Sequence, residues 1–80
     1  RQTVFDSEWA RDLLIALHAV RHPGDAGALR AALITPLFGL RPTQLTGLEA
    51  SGGLDAWRER FVALRQRWSR AGVLAVVQAL

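Results

Sequence analysis

A-A-L-I-T-P-L-F-G-L, residues 31–40, is a ten-residue run without a charge in a chain that is elsewhere dotted with arginines. A run that apolar is expected in the core, with amphipathic segments on either side packing around it. Thr35-Pro36 in its middle cannot continue a helix, because proline lacks the N–H and disfavours the α conformation of the residue before it. The chain therefore turns inside its own core, with Leu33, Leu37 and Phe38 as core residues and one tight turn over 36–39 before Leu40.

Working back from this run, Ala28, Leu29, Ala32 and Leu33 form the inner face of a helix that Asp25 can cap. Before it, Trp9, Leu13, Ala16, Leu17 and Val20 recur at helical spacing and predict a first helix of roughly four turns. Asp6 and Ser7 are both good N-caps, and Glu8 suits the positive end of the helix dipole. Val4 and Phe5 can fold back on the first turn as a hydrophobic staple. His22-Pro23-Gly24 stops the helix.

Working forward, Arg41-Pro42 reads as a helix start, since proline is favoured at the first helical position, with Leu45 and Leu48 facing inward. Ser51-Gly52-Gly53 reads as a flexible break. Trp57, Phe61, Leu64 and Trp68 follow at spacings of four, three and four, a stripe about 60° wide on the helical wheel. Ala71-Gly72 supplies a C-terminal stop. Val73 to Leu80, with only Gln78 polar, starts a fifth helix whose two-sided apolarity predicts a covering partner or self-association. No alternating pattern suggests a strand. The expected fold is all-α, a compact bundle of about five short helices forming a single helical (sub)domain over residues 1–80, excised from a larger protein.

Eighty residues bury only about 60% of their unfolded surface, so stability is marginal. Absence of cysteine excludes a disulfide framework and a thiolate metal site and fits a reducing compartment. The apolar runs fall short of the ~20 residues that span a bilayer, and R-Q-T-V-F-D lacks the pattern of a signal peptide. A soluble, cytoplasmic chain is expected. Residues 1–40 balance four arginines against four acids, whereas residues 41–80 hold six arginines and three acids, so the net +3 sits in the second half. That asymmetry permits an anionic partner without demanding one.

Candidate chemistry is sparse. His18 and His22 have the spacing of a two-histidine metal pair, yet neither a third ligand nor an E-x-x-H partner accompanies them, and a surface histidine pair is the simpler reading. With no lysine in the chain, the G-x-x-x-x-G-K-[ST] loop cannot occur. No serine sits in a G-x-S-x-G elbow, and Glu8 with Asp12, or Asp55 with Glu59, make ordinary wet faces. No catalytic residue, metal ligand or cofactor-binding residue is assigned. The arginines beside the tryptophan stripe are more informative. Arg58 and Arg65 fall on one flank, Arg60 and Arg67 on the other, and Arg70 near the back. Their stems can cover the stripe's edges while the heads reach water, or the heads can meet DNA phosphates. A helix-turn-helix is disfavoured, because the connector over 35–41 is longer than that motif's turn.

Taken in order, V-F-D-S-E-W-A-R-D-L-L-I-A-L-H-A-V at 4–20, G-D-A-G-A-L-R-A-A-L-I-T-P-L-F-G-L at 24–40 and F-V-A-L-R-Q-R-W-S-R-A-G-V-L-A-V-V-Q-A-L at 61–80 resemble the RecB family. These are the beta chains of exodeoxyribonuclease V, within the UvrD-like superfamily 1 helicases; the AddA type is a weaker match. The resemblance covers nearly the whole chain and implies the helical 2B subdomain, inserted in the second motor domain. It implies a parent that uses ATP and Mg to unwind duplex from broken ends in double-strand-break repair and homologous recombination, carries a nuclease, and works with RecC-like and RecD-like subunits. None of the family's ATP, translocation or nuclease motifs falls within residues 1–80.

UvrD-like relatives carry a T-P-x-R-G-I-G pattern at the duplex backbone. Thr35, Pro36 and Gly39 match it, Leu40 stands for the isoleucine, Phe38 replaces the arginine, and Arg41 replaces the final glycine. An arginine cannot approach a phosphate through its backbone as closely as a glycine, which hands that contact to the Arg41 side chain. The resemblance and the flanking arginines thus make Thr35, Gly39, Arg41, Arg58 and Arg65 the DNA-contact candidates. The competing reading is a scaffold that docks on other parts of the parent or its partner subunits, with no DNA contact of its own.

Overall fold

The computed structural model describes residues 7–80, in the order α1 (Glu8–Arg21), α2 (Ala26–Leu33), α3 (Pro42–Ser51), α4 (Leu54–Ala71) and α5 (Val73–Ala79), with no strand among the described residues. The expected all-α fold is the one observed. The expectations placed on Val4, Phe5 and Asp6 lie outside the described residues.

Local chemistry sets the boundaries. Ser7 caps α1, its Oγ accepting from the Ala10 N–H at 3.1 Å, and Asp25 caps α2, its Oδ1 accepting from the Ala28 N–H at 3.1 Å. Each satisfies an N–H that the first helical turn leaves without a partner. Pro42 occupies the first position of α3, and the Gln44 side chain accepts from the Arg41 N–H at 2.8 Å. The Ser51-Gly52-Gly53 segment is a defined turn where sequence suggested a flexible break. Gly52 takes the left-handed conformation at φ 79°, and the Gly53 N–H donates to the Leu48 carbonyl at 2.8 Å, which closes the end of α3 in a Schellman-type cap.

The core joins Ala19 and Val20 of α1, Leu29, Ala32 and Leu33 of α2, Leu45 of α3, Phe61 of α4 and Val76 of α5. α1 packs mainly along α2, and α4 lies against α1, α3 and α5. Phe61 is fully buried, with Trp57, Leu64 and Trp68 packed half-buried against the same cluster, so the aromatic stripe of α4 does face inward along one seam. Trp9 departs from its predicted place on the inner face of α1 and is 51% exposed. The buried positions of α1 are Ala16, Ala19 and Val20, all in its second half. Leu48 is half-buried rather than enclosed, as are Leu37 and Phe38.

The uncharged run folds as its proline requires. α2 ends at Leu33, and the chain reverses through hydrogen bonds from Phe38 N–H (3.1 Å) and Gly39 N–H (2.7 Å) to the Thr35 carbonyl and from Leu40 N–H to the Leu33 carbonyl (3.0 Å). Gly39 sits at φ 74°, a left-handed conformation that a residue with a Cβ adopts only at an energetic penalty. Thr35 is 6% exposed, and its hydroxyl donates to the Ala32 carbonyl at 2.7 Å. Thr35→Val keeps the shape and deletes that bond. A loss of about 1 kcal/mol is expected, read in urea denaturation, while Thr35→Ser should keep most of the hydrogen-bond contribution.

Candidate contact surfaces

The five candidates from sequence occupy two separate places. Thr35, Gly39 and Arg41 belong to the connector between α2 and α3. Arg58 and Arg65 lie along α4, on the flank that faces the end of α1. The structure does not gather them into one site.

In the connector, the N–H groups of Phe38, Gly39, Leu40 and Arg41 all donate to acceptors within the chain. The Thr35 hydroxyl is likewise engaged and buried. Of the three candidates in the connector, Arg41 has the exposed charged side chain, which makes no ion pair among the described residues. Gly39 serves the turn geometry; nothing lies within 4 Å of the place a Cβ would take, so its left-handed φ, not crowding, calls for glycine.

Arg58 is committed to structure. Its Nε donates to the Pro23 carbonyl at 3.0 Å and its Nη1 to Asp55 Oδ1 at 3.1 Å, which ties α4 to the corner between α1 and α2. Arg65 stays exposed. It borders two clefts of about 590 and 380 Å³, the first shared with His18, Arg21 and His22, the second with Arg21, His22 and Trp68. Arg21 also lies over the Trp68 ring, 5.7 Å from its centroid, a cation–π contact. Arg21 and His22 are thus basic neighbours of Arg65 that spacing along α4 alone does not reveal, because they arrive from the end of another helix.

The opposite flank of α4 is more aromatic. Phe38 inserts from the connector with its ring edge-on to Trp57 at 5.8 Å and tilted against Phe61 at 5.3 Å. Arg60 covers the outer face of Trp57, its guanidinium carbon 4.7 Å from the ring centroid; this is the stem-and-cover arrangement expected of arginines beside the stripe. Beyond Phe38, Arg60 and Arg67 lies a cleft of about 350 Å³ that Leu64, Arg70 and Leu80 complete. Arg70, placed near the back of α4 by the helical wheel, borders this cleft because α5 folds back along α4 and carries Ala79 and Leu80 beside it.

The rings of His18 and His22 lie 4.8 Å apart between centroids, tilted by 49°. Among the described residues no three of His, Cys, Asp or Glu converge where a metal could be held. No described helix is long and apolar enough to cross a membrane.

No protein-family model matches the chain, and no solved structure matches it. Among curated proteins, the RecBCD enzyme subunit RecB of Escherichia coli (strain K12) is 34% identical over 83 aligned residues that take in the whole of this chain. The chain spans about 7% of the length of that relative.

Proposed function

We propose that the chain is a non-catalytic, 2B-like helical subdomain of an ATP-dependent helicase–nuclease related to the beta chain of exodeoxyribonuclease V. The parent would act in double-strand-break repair and recombination. The observation that carries this reading is the 34% identity to RecB over an alignment that takes in the whole chain. ATP and Mg belong to the parent's motor and not to these residues. The partners are the remainder of the parent and RecC-like and RecD-like subunits. Within such an assembly the chain is a scaffold, with duplex contact resting on Arg41 and Arg65. These are the candidates whose side chains are exposed and make no ion pair among the described residues.

Two measurements test it. The reading frame that holds these residues should carry helicase motifs on both sides; a frame without them overturns the parent assignment. Titration of the chain with a blunt duplex at low and moderate salt tests the contact. Arg41→Ala and Arg65→Ala should each weaken binding and lower the salt slope by about 1. Binding that ignores both substitutions, or that lacks salt dependence, removes the DNA contact. Docking without DNA contact is the second reading, and α5 favours it. Val73 is 42% and Leu74 66% exposed, an apolar surface that suits a protein neighbour.

A further inference from the structure

We infer that the cleft between α4, α5 and Phe38 is a docking site for an acidic peptide segment with an apolar anchor. The inference does not rest on the helicase assignment. It starts from the lining. The floor is apolar, with Phe38, Leu64 and Leu80, and the rim carries Arg60, Arg67 and Arg70. No carboxylate lies within ion-pair distance of these three arginines among the described residues, where the ion pairs are Arg30 with Glu49 and Arg58 with Asp55. Three cations around one cleft repel one another unless an anion joins them. A self-satisfied surface would have interspersed acids, as α4 does at Asp55 beside Arg58.

The chemistry of the lining selects the ligand. Guanidinium groups donate hydrogen bonds and accept none. A ligand met by side chains here must supply acceptors at the rim and an apolar body for the floor. Carboxylates flanking a phenylalanine or leucine supply both, and the fork of arginine fits a carboxylate in a bidentate pair. A nucleobase fits less well. Phe61 is fully buried, and the Phe38 ring is already engaged by Trp57 and Phe61. The Trp57 face is taken by Arg60. That leaves the half-buried Phe38 as the aromatic of the lining with exposed surface, whereas single strands are ordinarily held by bases stacked on several aromatic rings. A volume of about 350 Å³ matches the lower end of a small ligand pocket and suits one large apolar side chain.

Fluorescence anisotropy of the chain with a labelled short peptide, one phenylalanine flanked by aspartates, tests the site. Binding is expected, weakened several-fold between about 50 and 200 mM salt. The double substitution Arg67→Ala with Arg70→Ala should weaken it roughly tenfold or more. Both side chains are exposed, so the fold should survive, and far-UV circular dichroism checks that. Arg11→Ala, an exposed arginine on α1, removes the same kind of charge elsewhere and should leave binding unchanged. Replacing the phenylalanine of the peptide by serine should abolish binding. The inference is overturned if the peptide fails to bind, if the serine peptide binds equally well, or if Arg11→Ala matters as much as the double substitution. It is also overturned if a single-stranded oligonucleotide of equal charge binds more tightly with the same dependence on Arg67 and Arg70, which would make the cleft a nucleic-acid site.

Discussion

Phe61→Ala is expected to destabilise the chain by about 3–5 kcal/mol, a large share of what an 80-residue chain holds against unfolding, which is about 4–12 kcal/mol. Phe61 is the largest fully buried side chain. It belongs to a core cluster with residues from α1, α2, α3 and α5, and Phe38 of the connector packs on its ring at 5.3 Å. Truncation therefore opens a cavity where several elements meet, and little neighbouring chain is free to collapse into it. Val62, the next residue along α4, is 39% exposed; Val62→Ala should change stability by about 0.5 kcal/mol or less. Urea denaturation followed by circular dichroism compares the two. A Phe61→Ala midpoint close to that of Val62→Ala would mean that the bundle is not held together at this point.

The core position of Phe61 was legible in the spacing of α4, because four aromatic and apolar residues within one narrow stripe can face only one way. Helix ends were legible for a similar reason. Ser7, Asp25 and Pro42 act through backbone N–H groups only a few residues away, so local order suffices to place them. Trp9 shows where locality fails. It obeys the period of α1, but burial depends on what lies across from it, and Trp9 is 51% exposed. The arginines of α4 follow the same logic. Their division into two flanks is written in the spacing, whereas Arg58 bonding to the Pro23 carbonyl and Arg70 joining the cleft beside Leu80 depend on contacts between distant parts of the chain. The candidates of the connector and those of α4 came from different arguments, and spacing has no means of saying how far apart they lie.

Leu33→Ala and Ile34→Ala, neighbours in the uncharged run, should differ several-fold in their effect. Both look alike in sequence, apolar residues before a proline. In the fold Leu33 closes α2 with no exposure at all, whereas Ile34 is 47% exposed just past the helix end. Leu33→Ala removes buried methyl groups from the cluster shared with Phe61 and Val76, with an expected loss of about 2–5 kcal/mol. The Leu33 carbonyl also accepts the Leu40 N–H that closes the connector, so a shift at the end of α2 is passed to the turn that positions Phe38 and, through it, one wall of the cleft. Ile34→Ala takes a half-solvated side chain from a position that no core residue needs, and about 1 kcal/mol or less is expected. Equal losses at the two positions would contradict this arrangement, because they would require Ile34 to be covered as fully as Leu33. The proline two residues beyond Ile34 enforces the difference: it obliges the chain to leave α2 here, and that departure turns a uniformly apolar run into one buried residue beside one exposed one.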